Sequence, residues 1–312
     1  MTFDAPDRDG LILSSDYRAT HPDLRPLARA VREADLVKLR RGAFVRSDEW
    51  SAASAREQHV FRIRAVAEDA RAPIVLAGFS AAALHGMPVF AFPDDVQIQE
   101  PWKGGGRSMP GVTRISAADS TAERVAVGAF HATDIARTAL ELTRQEPFAR
   151  AVGSMDWALW RRNEKRISTD HLIAELAKLP ARFGVSRAQQ VVRFATHLSD
   201  SYGESMCRAI AHEYGFETPR LQREIRDPQG LMVPDYSWDA ISVLGEFDGK
   251  DKYLRSLRPG EQPGDAVWRE KVREDRLRAL GFTVVRFIWA DLMDPKRVVR
   301  KLLDAGVPRR RG

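Results

Sequence analysis

The stretch that decides the fold is Pro234–Lys250, which opens with PDYSW and closes with GEFDGK. If residues 242–250 form a strand, its two-residue period places Glu246, Asp248 and Lys250 side by side on one face of a sheet. Neighbouring charges on one face of a sheet are expected to destabilise the fold unless they bind a ligand or pair with one another. Two carboxylates beside an ammonium, with another carboxylate from the preceding strand, can hold a hard divalent cation against a phosphodiester. The stretch therefore predicts a nuclease-type site.

The length and charge of the chain favour more than one domain and a polyanionic partner. With 312 residues, the chain is long enough for two or three compact units. Lys and Arg total 49 against 43 Asp and Glu, which gives a net charge of +6, and the isoelectric point is about 9.6. This basic bias is compatible with DNA binding, although a GC-rich genome produces the same preference for arginine.

Cysteine content and the apolar segments predict a cytoplasmic protein. The single cysteine, Cys207, excludes an internal disulfide and a cysteine-based zinc site. The N-terminal residues are acidic and polar, without the pattern of an export signal. The longest apolar run, Ile74–Phe92, is interrupted by polar residues, Gly and Pro, so we expect no membrane-spanning segment.

The N-terminal half is predicted to contain two small modules. Residues 1–50 are predicted to be a winged-helix-like DNA-binding module, because residues 16–46 show a helix, a turn, a second helix and a short hairpin. Arg40 and Arg41 would lie at the wing tip and contact a DNA backbone, with solvent exposure as the alternative. Residues 51–163 mix helices with short strands, including an alanine-rich helix capped by Ser80, and form a small α/β domain.

The C-terminal part is predicted to be an α/β (α+β) domain with a mixed sheet flanked by helices. Residues 164–199 are rich in charge and helix formers and are predicted to be a helical connector. A cluster of turn residues at Ser199–Gly203 then opens the last domain, residues 200–312. Its predicted order is helix, three strands, charged helix, strand and helix.

The chemistry predicted for this domain is metal-dependent hydrolysis of a phosphodiester. Asp235, Glu246 and Asp248 would supply hard oxygen ligands for Mg²⁺ or Mn²⁺, and Lys250 a cation near the scissile phosphate. Asp235 and Glu246 are 11 residues apart, a spacing that suits a hairpin bringing the two carboxylates together. Which of Glu246 and Asp248 is the principal ligand stays open.

These motifs resemble the PD-(D/E)xK nuclease superfamily. Together with Gly203-Glu204-Ser205 and the segment 278–286, they are similar to the very-short-patch-repair-like endonuclease domain DUF559, over roughly residues 200–305. The resemblance implies a restriction-endonuclease-like fold with Asp235 as the first metal-binding acid. It assigns Asp248 and Lys250 to the (D/E)xK element, Glu246 to an additional or alternative ligand, and Glu204 to the helix-borne acid near the catalytic site. The alternative register, Glu246-x-Asp248, lacks the lysine.

Three shorter motifs of the N-terminal half, Arg40–Val45, Ser80–Gly86 and Arg137–Leu142, resemble the AbiEi-type antitoxins of type IV toxin-antitoxin systems. This resemblance implies a winged-helix DNA-binding module followed by an antitoxin-like domain, with DNA and a toxin or defence-system protein as partners. It also implies an alternative function: a transcriptional regulator of a toxin-antitoxin or phage-defence locus, in which the nuclease fold is non-catalytic.

Several charged or polar side chains receive a structural interpretation. His85 and His131 lie in apolar stretches and are predicted to be core histidines with satisfied hydrogen bonds. The charged helix predicted from about residue 267 alternates basic and acidic residues, which is typical of an exposed, ion-paired helix. Its basic residues are Lys271, Arg273 and Arg276, and its acids are Glu270, Glu274 and Asp275.

Overall fold

The computed structural model describes residues 7–70, 72–101, 109–117, 124–179, 184–249 and 263–310. The protein is mixed α/β, with helices and mixed sheets. It folds into two compact units, each built from two separate stretches of the chain. The first comprises residues 1–145 and 167–189, and the second residues 146–166 and 190–312. The functional division at residues 50, 163 and 199 stays a prediction.

The first unit begins with the predicted helix, turn, helix and hairpin. A short additional strand, which the sequence pattern did not predict, joins the hairpin in a three-stranded antiparallel sheet of order β1-β3-β2. Gly42 has φ +82 at the hairpin turn, a conformation that favours glycine. The elements are β1 (Ile12–Leu13), α1 (Ser14–Thr20), α2 (Arg25–Arg32), β2 (Leu36–Arg40) and β3 (Ala43–Arg46).

The remainder of the first unit surrounds a five-stranded mixed sheet of order β6-β5-β4-β8-β7. Its core joins aliphatic residues of α4 and α5 to the inner strands. The helix α9 begins in this unit and ends in the second. The elements are α3 (Ser47–Ala52), α4 (Ala55–Asp69), β4 (Val75–Leu76), α5 (Gly78–His85), β5 (Val96–Pro101), β6 (Val112–Ala117), β7 (Arg124–Val127), β8 (Phe130–Thr133), α6 (Ile135–Gln145), α8 (Thr169–Ala177) and α9 (Val185–Phe194).

Two local predictions in this unit are wrong. Ser80 does not cap α5, which begins two residues earlier at Gly78. Its hydroxyl is buried instead, 2.8 Å from Nε2 of His59, and accepts a hydrogen bond from the amide of Gln97. His85 is a buried histidine as predicted, with Nε2 2.7 Å from the carbonyl oxygen of Thr133. His131, in contrast, is exposed on β8.

The second unit contains the predicted C-terminal order of elements around a four-stranded sheet, β14-β13-β12-β9. Strands β13 and β14 are parallel, and the other neighbours are antiparallel. The separate strands β10 and β11 form a hairpin. The elements are α7 (Phe148–Leu159), α10 (Tyr202–Glu213), β9 (Arg220–Leu221), β10 (Ile225–Asp227), β11 (Gly230–Met232), β12 (Tyr236–Trp238), β13 (Val243–Asp248), α11 (Pro263–Ala279), β14 (Thr283–Ile288), α12 (Trp289–Met293) and α13 (Pro295–Asp304).

Two of the predicted strands are each divided in the structure. The strand predicted over residues 220–226 is broken at Gln222, which has φ +54. The one predicted over residues 232–238 is interrupted around Pro234, which has no amide to donate to a ladder. Asp235 therefore lies immediately before β12 rather than in the middle of a longer strand.

The two faces of β13 pack against different helices. Gly245 and Phe247 face α10, and the Phe247 ring occupies the space that a side chain at Gly203 would fill. On the opposite face, Leu244 packs with Leu277 of α11. Because side chains alternate along a strand, Glu246 and Asp248 share the α11 face. Within the described ranges, no helix is both long enough and apolar enough to cross a bilayer.

The contact between α10 and β13 generates a stability prediction. A Cβ added at Gly203 would lie 2.1 Å from Cε1 of the buried Phe247 ring. We therefore expect Gly203→Ala to lower the free energy of unfolding by about 1–3 kcal/mol, despite the better helix propensity of alanine. Urea unfolding measures the change. Gly264→Ala, in an open position of α11 with no atom within 4 Å of the added Cβ, is the matched control; equal stability of both variants would contradict the packing argument.

Candidate active site

Asp235 is held against the strand that carries the other predicted acids. The antiparallel register pairs Tyr236 with Gly245, so the next residue pair outward brings Asp235 beside Glu246. Oδ2 of Asp235 accepts a hydrogen bond of 2.7 Å from the amide of Phe247. The Asp235 side chain is buried. The structure therefore joins the PDYSW and GEFDGK segments through a buried carboxylate.

Glu246 is almost completely buried and forms an ion pair with the helix above it. Its Oε1 atom lies 2.9 Å from Nη2 of Arg273 on α11. The same guanidinium donates to both carboxylate oxygens of Glu270, at 2.9 and 2.6 Å. Arg273 thus lies between one acid of the sheet and one acid of its own helix, and its positive charge faces the Glu246 carboxylate.

Asp248 is bound by an arginine of the neighbouring parallel strand. Both of its oxygens accept hydrogen bonds of 2.8 Å from Nη1 of Arg286. Arg286 stands opposite Glu246 in the β13–β14 register, and it also donates to Glu270 at 2.9 Å and to Glu274 at 2.6 Å. One guanidinium therefore connects three acids.

These contacts define an acid–arginine cluster on the α11 face of the sheet. Five acids, counting Asp235 next to it, meet three arginines, so a formal charge of −2 remains among these described side chains. The three arginines are Arg273, Arg278, which pairs with Glu274, and Arg286. The acids are Asp235, Glu246, Asp248, Glu270 and Glu274. The named acids outnumber the named arginines, and an excess of acids favours a nearby cation.

The pKa values in the cluster reflect this arrangement. Burial raises the pKa of Glu270, but the hydrogen bonds and charges of Arg273 and Arg286 outweigh it and lower the pKa to about 2. Burial works against the charged form of Arg286 too, yet its hydrogen bonds to Asp248 and Glu274 raise its pKa above the usual value. Both shifts stabilise the ionised network.

Glu204 lies in the first turn of α10, whose N-cap is Ser201. Its Oε2 atom accepts a hydrogen bond of 2.8 Å from the amide of Asp200, and Oε1 accepts one of 3.0 Å from the hydroxyl of Ser201. The carbonyl oxygen of Glu204 accepts a 2.7 Å hydrogen bond from the hydroxyl of Tyr236 on β12. The predicted helix-borne acid is thus linked to the sheet through its backbone, and its carboxylate serves the helix terminus.

The predicted metal ligands are neighbours but do not converge on one point. Within the residues that the structure describes, Asp235, Glu246 and Asp248 form no trio whose ligand atoms all lie within 4.8 Å of one another. Their oxygens are hard donors that suit Mg²⁺ chemically. Binding such an ion would require Glu246 and Asp248 to exchange part of their guanidinium contacts. Lys250, the predicted catalytic lysine, lies outside the described residues.

Sequence reasoning missed the two arginines that bind the acids. It interpreted Arg273 as part of an exposed, ion-paired helix; the pairing with Glu270 is present, but the side chain is only 22% exposed and also reaches Glu246. Arg286 carried a signal in the sequence, because it is the single charged residue in the apolar strand TVVRFI. An arginine inside such a strand requires an acid on the same face.

The two predicted DNA-contacting arginines of the first unit differ in their surroundings. Nη2 of Arg40 forms an ion pair of 2.8 Å with Asp69 of α4, and its side chain is only 13% exposed. Arg41 is exposed at the hairpin turn. Arg41 is therefore the better placed of the two to meet a phosphate, and Arg40 connects the hairpin to α4.

The chain is similar to known proteins whose names state no function. No protein-family model matches the chain. Over 173 residues it is 28% identical to uncharacterized proteins of Mycobacterium tuberculosis, MT2308 of strain CDC 1551 / Oshkosh and Rv2248 of strain ATCC 25618 / H37Rv. The alignment covers 55% of this chain and 60% of each relative. The crystal structure of RV2827C from M. tuberculosis has a TM-score of 0.37 and 20% identity, covering 72% of this chain and 85% of that one.

The network around Glu270 generates a prediction of pH dependence. Its folded pKa of about 2 lies below the ordinary value of 4.5. Its contribution to stability is therefore fully present above the ordinary value and is lost as the pH falls toward the folded one. We expect the wild type to exceed Glu270→Gln in stability by about 1–3 kcal/mol near neutral pH, with a smaller difference near pH 3.

Urea unfolding followed by tryptophan fluorescence measures this difference, because five of the seven tryptophans belong to the second unit. Glu224→Gln is a suitable control, since Glu224 is exposed and pairs only locally with Arg226 in the contact that the structure shows. A stability difference for Glu270→Gln that stays constant across the acid range would contradict the pKa shift.

Proposed function

We propose that the protein is a metal-dependent DNA endonuclease-like enzyme that hydrolyses phosphodiester bonds, positioned on DNA by its N-terminal region. The observation that carries the proposal is the hydrogen bond from the Phe247 amide to Asp235. It brings the acid of the PDYSW segment to the backbone between Glu246 and Asp248. Acids brought together in this way supply the hard oxygen ligands that such chemistry needs.

Each acid has a distinct part in the proposed reaction. Asp235, Asp248 and Glu246 would hold Mg²⁺ or Mn²⁺, which when bound polarises a phosphate and lowers the pKa of a bound water. Lys250 would hold a non-bridging phosphate oxygen or orient the attacking water. Glu204 would act through the N-terminus of α10 and the hydroxyl of Tyr236, and so keep β12 in position rather than contact substrate.

Arg273 and Arg286 support the proposal by fixing the acids. Arg286 binds both oxygens of Asp248, and Arg273 lies against Glu246. Each arginine is also anchored to Glu270. Because the two guanidiniums are anchored independently of the acids of the sheet, they can remain in place while Asp248 or Glu246 turns one oxygen toward a cation. The two arginines would thus keep both acids beside Asp235 while an ion binds.

The enzyme hypothesis predicts metal-dependent DNA cleavage. Purified protein with Mg²⁺ or Mn²⁺ should nick or cleave plasmid DNA, and Asp235→Asn or Lys250→Ala should lower the rate by at least about 100-fold. Asparagine keeps an oxygen that can accept from the Phe247 amide, so the fold should persist, as circular dichroism can verify. Single-stranded, duplex and mismatched DNA are all assayed.

Glu224→Gln serves as the control for this assay, since it removes an exposed acid of the same unit. Its rate should equal that of the wild type. Wild-type protein that leaves all three DNA forms intact with both metals would contradict the enzyme hypothesis.

A specific observation favours a second candidate, a transcriptional regulator of the AbiEi antitoxin type with a non-catalytic nuclease fold. Both Glu246 and Asp248 are engaged by arginines, and a guanidinium can neutralise an acid permanently as well as support it. The helix, helix and hairpin of residues 14–46 would then bind operator DNA, and a toxin or defence-system protein would be its partner.

The regulator hypothesis predicts DNA binding without cleavage. Arg41→Ala should weaken binding of the promoter DNA of its own gene several-fold and reduce the salt dependence by about one phosphate contact. Fluorescence anisotropy with chelator present measures both quantities. Arg124→Ala, which removes an exposed arginine of β7 in the same unit, should bind like the wild type. Identical affinities for wild type and Arg41→Ala would contradict a role for the hairpin tip.

A further inference from the structure

A group of metal-ligating side chains lies in the first unit, apart from the acids discussed above. Asp134 follows β8 directly and precedes α6, while His171 and Glu175 are on α8. His171 and Glu175 are four residues apart, so they project from the same face of the helix. One ligand atom from each of the three residues lies within 4.8 Å of the other two. Sequence reasoning missed this group because Asp134 is 37 residues away from His171.

Two oxygens in the group are buried without a hydrogen-bond partner among the described residues. Oδ1 of Asp134 accepts a 2.6 Å hydrogen bond from the amide of Arg137, but Oδ2 has none. Oδ2 lies 3.4 Å from Nε2 of His171, which is longer than the usual hydrogen-bond distance of about 2.7–3.2 Å and becomes an ion pair when the imidazole is protonated. Glu175 pairs with Lys178 through Oε1, and its buried Oε2 has no partner.

This arrangement is costly as it stands. Asp134 is 7% exposed and Glu175 is fully buried at 0%. The guanidinium of Arg137, the nearest arginine along the chain, is bound to Glu141 instead. A buried carboxylate oxygen without a hydrogen-bond donor is destabilising, so a cation that contacts Oδ2 of Asp134 and Oε2 of Glu175 would satisfy both.

We propose that Asp134, His171 and Glu175 bind a divalent transition-metal ion, with Zn²⁺ as the preferred ion. An imidazole nitrogen with two carboxylate oxygens suits zinc and disfavours Mg²⁺, which prefers an all-oxygen shell. In a tetrahedral zinc site, ligand atoms stand roughly 3.4 Å apart. The separation of 3.4 Å between Asp134 Oδ2 and His171 Nε2 matches that value. The His171 side chain is 39% exposed, so the ion enters from solvent and a water molecule completes its coordination.

The position of the site gives the ion a structural role. The stretch 167–189, which contains α8, returns to the first unit after residues 146–166 have joined the second. A metal bound by Asp134, His171 and Glu175 ties α8 to the corner between β8 and α6. It stabilises the first unit by mass action, in proportion to the logarithm of the ion concentration. This role is independent of the proposed nuclease activity.

The test uses full-length, tag-free Asp235→Asn protein stripped of metal, so that the acids of the second unit contribute less to binding. Titration with Zn²⁺ by calorimetry should give one site per chain, and Co²⁺ should give the visible bands of a tetrahedral nitrogen and oxygen site. His171→Ala and Glu175→Gln, each added to this background, should weaken binding by at least about 100-fold. His131→Ala, which removes an exposed histidine of β8, should bind normally.

A measurement on unaltered side chains covers the case in which the variants do not fold. Bound Co²⁺ should shift the imidazole proton resonances of His171 strongly and those of His131 weakly. Absence of Zn²⁺ heat and of Co²⁺ bands in the Asp235→Asn protein would overturn the proposal. Folded His171→Ala and Glu175→Gln variants that bind Zn²⁺ with unchanged affinity would overturn it as well. So would unshifted His171 resonances in the presence of bound Co²⁺.

Discussion

The second unit depends on the compensation of negative charge inside its sheet. Asp235 and Glu246 are at least nine-tenths buried, and a buried carboxylate without donors costs several kcal/mol. The Phe247 amide satisfies Asp235, Arg273 reaches Glu246, and Arg286 binds Asp248. Arg286 is in place only because β14 runs parallel to β13, and Arg273 only because the helix between them crosses the same face. The acids can therefore be buried only in a topology that brings these two arginines to the same face of the sheet.

The strand β13 has an apolar face and an acidic face. Phe247 and Gly245 face α10, where Gly203 gives the aromatic ring room, while Glu246 and Asp248 face the arginines. A strand with one apolar face and one acidic face needs a helix on each side. A shift of its register by one residue would bury Asp248 against Gly203 and place Phe247 beside the arginines. The packing on one side thus holds the acids in register on the other.

Much of this could be predicted from the sequence, because local patterns determine local structure. The alternation of GEFDGK predicted that Glu246 and Asp248 share a face, and turn residues located the beginning of α10, whereas the single strand predicted across Asp235 is divided. The arginine partners could not be predicted from spacing, since Arg286 meets Asp248 across a parallel pairing that only the tertiary fold creates. The Asp134, His171 and Glu175 group was hidden for the same reason: α8 returns to the first unit after a long excursion of the chain.

The central claim is that the acids beside Arg273 and Arg286 form a metal site that acts on phosphodiesters. Crystals of the protein grown or soaked with millimolar Mn²⁺ test it most directly through anomalous diffraction. The account predicts an anomalous peak contacting Asp235 and at least one of Glu246 and Asp248, with Arg286 retained by Glu270 and Glu274. Full guanidinium pairing of Glu246 and Asp248 under the same conditions, with no peak near Asp235, would contradict it.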